Sequence, residues 1–224
     1  MARKYMDETI LKFRQQTEEV KAMEEAEEII AQEIAIQNIS DGYAVIDGET
    51  VSFAPRKLLQ EKIQIILPTN WGDLPLEMAK LKYPYEARPP IILSDPTTAL
   101  NFTVNHTITP LKKDAINIAS LVSDMKMMTD KCLKARFFED GLVENEDNGI
   151  VVGWYDFSVS GLGNEDLYNF VFATSLDNRA LILSLNCPDQ RRARWKSIAQ
   201  DILLTLEIAS RDIESINPNE EEKT

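Results

Sequence analysis

The chain has one histidine, two cysteines and a single run of closely spaced arginines, and any chemistry must be built from these few residues and from carboxylates. His106 continues the series Leu100, Phe102, Val104, His106, Ile108, so its imidazole points the way of apolar neighbours. A metal or general-base role needs partners at ligand spacing, and no Cys or Asp cluster supplies them. A structural imidazole at the edge of a core is the preferred reading. A Ser–His–acid set can assemble from distant positions, but no Gly-X-Ser-X-Gly elbow supports one. Gly161-Leu162-Gly163-Asn164 lacks the third glycine of a phosphate loop. A strand rather than a helix follows it, so it reads as a hairpin turn. Glu139, Asp140, Glu144, Glu146 and Asp147 lack the spacing of a calcium loop and read as a solvated rim. Cys132 and Cys187 read as free, buried thiols. No catalytic residue, metal ligand or cofactor site is expected.

Arg191, Arg192 and Arg194, with Lys196 close by, form the local basic cluster. They fall at the start of a predicted helix, where positive charge opposes the macrodipole. Pairing with nearby Asp or Glu is one account, and contact with an acidic partner is the other. Asn101, Thr103, Asn105 and Thr107 form a polar row opposite the apolar row of their strand. If a helix covered that row, each side chain would need a hydrogen-bond partner. The expectation is therefore an exposed sheet face, open to water or to a partner helix or peptide.

The elements that must position these residues follow from periodicity. Residues 1–40 contain no Gly or Pro and are rich in Glu, Lys, Gln, Ala and Ile. Ile10, Phe13, Val20, Met23, Ile30 and Ile34 make a rough stripe, which predicts one long helix or two shorter ones. Such a stripe must pack on the main domain, on a second copy or on another protein, so Ile10, Phe13 and Val20 join the candidate partner-binding residues. Asp47-Gly48 predicts a hairpin between Tyr43–Ile46 and Thr50–Ala54. Strands are expected at Lys62–Leu67, Ile91–Ser94, Ala99–Ile108 and Lys134–Glu146. Leu74–Lys82 reads as a short helix and Lys113–Cys132 as a long one, with Ala115, Ile118, Ala119, Val122, Met125 and Cys132 along its face.

The stretch from Gly149 to Ala209 is the most regular. Ile150–Ser160, Leu167–Ser175 and Ala180–Cys187 alternate with period two. A helix then places Trp195, Ile198, Ala199, Ile202 and Leu206 on one side. The order implies an α+β fold, a mainly antiparallel sheet flanked by helices in a layered sandwich. The expected organisation is a helical extension at 1–40, the α+β domain at 41–210 and an acidic disordered tail at 211–224.

The texture of residues 49–209 resembles the Mog1/PsbP-like group. The likeness lies in Ile63-Gln64-Ile65-Ile66-Leu67-Pro68 followed by Trp71, in Asn101-Phe102-Thr103-Val104 before a long helix, and in the closing helix after Leu181–Pro188. The resemblance implies a non-enzymatic binding protein, since the group includes a small-GTPase partner, a photosystem subunit and bacterial effector chaperones. It carries over no site residue.

Charge narrows the partners. A formal net charge of −13 disfavours nucleic acid and anionic membranes. Met1–Glu8 is charged and leads into no apolar signal region, which points to a cytoplasmic protein. The functional expectation is a protein-interaction module, an adaptor or secretion-effector chaperone, with possible homo-oligomerisation through the N-terminal helix. The alternative is an immunity or antitoxin-like protein steered by charge to a basic toxin. A cryptic hydrolase ranks third.

Overall fold

The computed structural model describes residues 39–86, 88–145, 148–161 and 165–209. The helical stripe with Ile10, Phe13 and Val20 and the acidic tail lie outside the described residues. Eleven strands and three α-helices alternate along the described chain. The strands are β1 (Tyr43–Ile46), β2 (Glu49–Leu58), β3 (Ile63–Pro68), β4 (Gly72–Asp73), β5 (Ile91–Ser94), β6 (Asn101–Pro110), β7 (Arg136–Glu144), β8 (Val151–Ser160), β9 (Asp166–Leu176), β10 (Arg179–Pro188) and β11 (Glu207–Ile208). The helices are α1 (Leu76–Lys82), α2 (Ala115–Leu133) and α3 (Arg192–Leu204).

Two antiparallel sheets form where one was expected. The first runs β1-β2-β3-β11 and the second β4-β5-β6-β10-β9-β8-β7. The α+β class stands, but period-two alternation reports which face a residue takes and not which strand it pairs with. The break follows β3. It ends at Pro68, which has no N–H to donate, and the chain leaves through Trp71, whose ring stacks on Trp195 of α3 at 5.6 Å.

The inner face of the large sheet carries Phe102, Val104, Phe170, Phe172, Leu181, Leu183 and Leu185. The small sheet supplies Phe53, Ile63, Ile65 and Leu67 to the same core, and α3 supplies Trp195, Ile198, Ala199 and Ile202. Leu206 is buried too, but it lies past the end of the helix. Ile39 joins this core just before β1. The Asp47-Gly48 turn has φ of +54° and +79°, the two left-handed residues that a tight hairpin requires.

On the outer face, α2 lies over β8 and β9, where Val122 packs with Tyr155, Phe157 and Val171. Asp114 caps this helix by accepting from Asn117 N–H at 2.9 Å. Gly153 lets the helix approach, since a Cβ there would fall 2.6 Å from Val122 Cγ2 and 2.9 Å from Ile118 Cγ2. The short α1 covers the far end of the same face through Ala79 and Ile92.

Candidate functional site

The polar row of β6 is not the open face its sequence suggested. Asn101 and Thr103 are buried, and Asn105 and Thr107 are half-buried. Strand β10 sets Asn186 and Ser184 directly opposite Asn101 and Thr103. Asn101 Nδ2 donates to Asn186 Oδ1 at 3.1 Å, and the Thr103 and Ser184 hydroxyls meet at 2.7 Å. Asn186 Nδ2 in turn donates to the Tyr83 hydroxyl at 3.0 Å, so the segment after α1 covers this end. Burial holds the Tyr83 phenol above its usual pKa. Thr107 Oγ1 donates to Ala180 O at 3.2 Å. Asn101, Thr103 and Thr107 thus each make a side-chain hydrogen bond to β10, while Asn101 Oδ1 is buried without a partner and Asn105 stands opposite Ile182.

The arginine cluster is largely engaged as well. Arg191 Nη2 and Arg194 Nε reach the two oxygens of Asp47 at 2.9 and 3.0 Å. The carboxylate in the β1–β2 turn thus offsets the positive charge at the start of α3. Arg192 lies over the Phe138 ring at 4.2 Å. His106 Nε2 sits 2.9 Å from Leu176 O, a structural contact at the edge of the core. Cys187 is buried, and desolvation pushes its thiol up to about 12. Cys132 is exposed rather than buried, because it falls in the last turn of α2, past the part that rests on the sheet.

One fully buried carboxylate organises the end of the sheet beside α3. Between the pairs Phe137↔Phe157 and Asp140↔Tyr155, two β7 residues stand opposite Asp156 alone. This is a β-bulge, which leaves an N–H without a ladder partner. Asp156 Oδ1 accepts that N–H, from Glu139, at 2.7 Å. Its Oδ2 accepts from the Tyr168 hydroxyl at 2.9 Å and pairs with Lys196 Nζ at 3.1 Å. Burial, and then the adjacent carboxylate, push the Tyr168 phenol far above its ordinary pKa. Lys196 also reaches Glu139 at 3.1 Å, so α3, β8 and the bulge of β7 are tied together.

The bulge holds the outermost strand of the large sheet. β7 is hydrogen-bonded to β8 on one side and has no strand on its other side among the described residues. Its register places Asp140, Leu142 and Glu144 opposite Tyr155, Gly153 and Val151, on the α2 side. A groove of about 370 Å³ runs between this row and α2, lined by Ala119, Ser123, Lys126, Asp140, Gly141 and Leu142. Lys126 pairs with Asp140 across it. Only Ile118 and Val122 of the nineteen helix residues are fully buried, while Ile116, Met127, Met128 and Leu133 are exposed. The sequence expected a wider buried face on this helix. The sequence read Asp140 and Glu144 as part of a solvated rim, and nothing in it marked an outermost strand.

A larger cleft of about 710 Å³ lies at the end of the sheet, lined in part by Lys113, Asn148, Thr174, Ser175, Asp177 and Ile208. Several of its polar groups serve the fold. Thr174 and Ser175 donate to Val151 O and Leu111 O at 2.7 and 2.6 Å, and Asp177 pairs with Lys62 at 2.7 Å.

This architecture matches that of cyanobacterial PsbP (CyanoP) from Synechocystis sp. PCC 6803, with a TM-score of 0.53 at 14% identity, over 71% of this chain and 94% of that one. The chain has the Mog1/PsbP-like fold. At this identity the likeness is one of fold. The Ran-binding protein Mog1p of Saccharomyces cerevisiae matches with a TM-score of 0.48 at 11% identity, over 70% of this chain and 96% of that one. LpqN, involved in cell envelope biogenesis of Mycobacterium tuberculosis, matches with a TM-score of 0.44 at 14% identity, over 78% and 98%. No protein-family model and no curated protein matches the sequence. Among the described residues, α2 and β7 carry five exposed large apolar side chains, Ile116, Met127, Met128, Leu133 and Leu142.

Proposed function

We propose that this chain is a non-enzymatic protein-interaction module, of the adaptor or effector-chaperone kind, and that its contact surface is the α2–β7 side. The observation that supports this is the mismatch between composition and burial on α2. Ile116, Met127, Met128 and Leu133 of α2 are each at least half exposed, and Leu142, which lines the groove between α2 and β7, is 45% exposed. Apolar surface of this kind, rimmed by polar side chains, favours protein contact, and methionine adapts to varied partners. A cytoplasmic setting belongs to the proposal and is favoured by the two free thiols.

The net charge of −13 favours a second reading, an immunity or antitoxin-like protein that meets a basic toxin. One experiment separates the readings. The tagged full chain is isolated from its host as wild type, Leu142→Asp, Met127→Glu and Leu81→Asp. Leu81 is an exposed control on α1, at the other end of the sheet. A native complex that falls apart in the first two variants and survives in the third supports the proposed surface. Dissociation by moderate salt alone favours the immunity-type reading. A monomeric wild-type protein with no associated chain counts against both.

A further inference from the structure

We infer that β7 is a strand-addition site, and that its occupant is an extended segment with the pattern basic–apolar–apolar–aromatic–basic, added antiparallel along Asp140–Glu144. This rests on the protein-interaction reading above and names the chemistry of the partner.

The backbone geometry comes first. β7 is nine residues long and ends the seven-stranded sheet. An unpaired outer strand presents N–H and C=O groups to a further strand. Bulges usually twist such an edge away from pairing. Here the bulge at Phe138 and Glu139 is fixed from inside by the Asp156 carboxylate and Lys196, and the register from Asp140 to Glu144 is continuous. Every strand pair in both sheets is antiparallel, so an added strand meets the same twist in that direction.

Side chains then specify the occupant. On the α2 side, an incoming strand faces Asp140, Leu142 and Glu144, that is acid, apolar, acid, with the Asp140 carboxylate shared with Lys126 of α2. Directly opposite pairs of unlike charge stabilise a sheet and like charges oppose it. The matching row is basic, aliphatic, basic, with the aliphatic side chain beside the groove floored by Ala119 and Ser123. On the other side the strand faces Gly141 and Val143. Gly141 has no side chain, and a Cβ there would touch the Trp154 indole at 3.0 Å. Trp154 is half-buried and stacks on Phe170 at 5.2 Å, so an aromatic residue opposite Gly141 completes that stack. Running antiparallel, the segment reads Lys-Val-Val-Phe-Lys or its Arg equivalent. A second copy of β7 does not fit. Antiparallel self-pairing centred on Leu142 sets Asp140 against Glu144, which is repulsive.

The test uses the full chain and synthetic peptides with Gly-Ser ends. One carries Lys-Val-Val-Phe-Lys, one carries Glu-Val-Val-Phe-Glu, and two are the basic peptide N-methylated at one or the other set of alternate amides. Binding is read by fluorescence anisotropy and the site by amide hydrogen exchange. The expected result is binding of the basic peptide about tenfold or more tighter than the acidic one, with slowed exchange in residues 140–144. N-methylation in one of the two alternate registers abolishes binding. An Asp140→Lys/Glu144→Lys chain, exposed at both positions and checked for fold by circular dichroism, prefers the acidic peptide. The inference is overturned if no peptide binds at about 1 mM, if charge sign has no effect, if both N-methylated registers bind normally, or if protection appears away from β7. If the native complex still depends on Leu142 while any of these occurs, the interaction surface stands and strand addition fails.

Discussion

Lys196 of α3 places its ammonium 3.1 Å from the buried carboxylate of Asp156 on β8, and this contact joins the covering helix to the outer edge of the large sheet. The carboxylate has three donors in all, the others being Tyr168 and the Glu139 amide. Desolvating a charge is tolerable only with such complete pairing.

Lys196→Met removes the one cation of that set and leaves the carboxylate with two neutral donors. We expect a loss of about 3 kcal/mol in urea unfolding, because an uncompensated charge stays in the core. Asp156→Leu/Lys196→Met should cost less than the sum of the single changes, since both charges leave together. Additive effects would show that the two groups do not interact.

Gly153→Ala tests how α2 is seated. The added Cβ would overlap Val122 Cγ2 and Ile118 Cγ2, both on a helix that buries little else. The helix must move outward, at a cost of about 1–3 kcal/mol. Hydrogen exchange should quicken in α2 ahead of the strands. Unchanged stability would mean that α2 floats freely over the sheet.

The elements were legible because their signals are local. The alternation of Leu181, Leu183 and Leu185, and the helical spacing of Trp195, Ile198 and Ile202, led directly to strand β10 and helix α3, with all six in one core. The pairing partners were not legible. That Ser184 and Asn186 would stand opposite Thr103 and Asn101 depends on register between strands about eighty residues apart, and no local pattern encodes it. The polar row therefore read as open surface. Asp156 was missed for a related reason. An acid within Trp154–Ser158 reads as an outward residue until the bulge and Lys196 are seen to meet it. The β7 edge was hidden likewise, because being outermost is a property of the whole sheet.

Asp201 gives the pH prediction. It is half-buried on α3, and desolvation raises its pKa above the ordinary aspartate value. A raised carboxyl pKa means that the folded state holds its proton more tightly than the unfolded one. The stability this contributes is complete below the unfolded pKa and is lost as pH rises through the folded one. Asp201→Asn stays neutral throughout. Its urea midpoint should rise relative to wild type at pH 7, and this advantage should shrink as pH falls toward 3.5. An advantage independent of pH would assign the effect to packing instead.

Truncation locates the start of the folded unit. Ile39 is buried at 1% exposure in the core that holds Ala44, Phe53 and Ile202, although the helical pattern of the sequence runs on through residue 40. A chain beginning at residue 39 keeps this side chain, and a chain beginning at residue 41 loses it. Removing a fully buried isoleucine costs about 3 kcal/mol, through lost transfer energy and the cavity left behind. In a unit of this size that corresponds to roughly 6–12 °C in melting temperature. The longer chain should melt cooperatively, and the shorter should melt lower by that margin. Light scattering on the longer chain reports separately whether residues 1–38 mediate self-association, since a drop in mass relative to full length assigns that role to the Ile10, Phe13 and Val20 stripe. If the longer chain is already unfolded, residues before Ile39 belong to the core. If the two truncations melt together, the burial of Ile39 contributes nothing to stability.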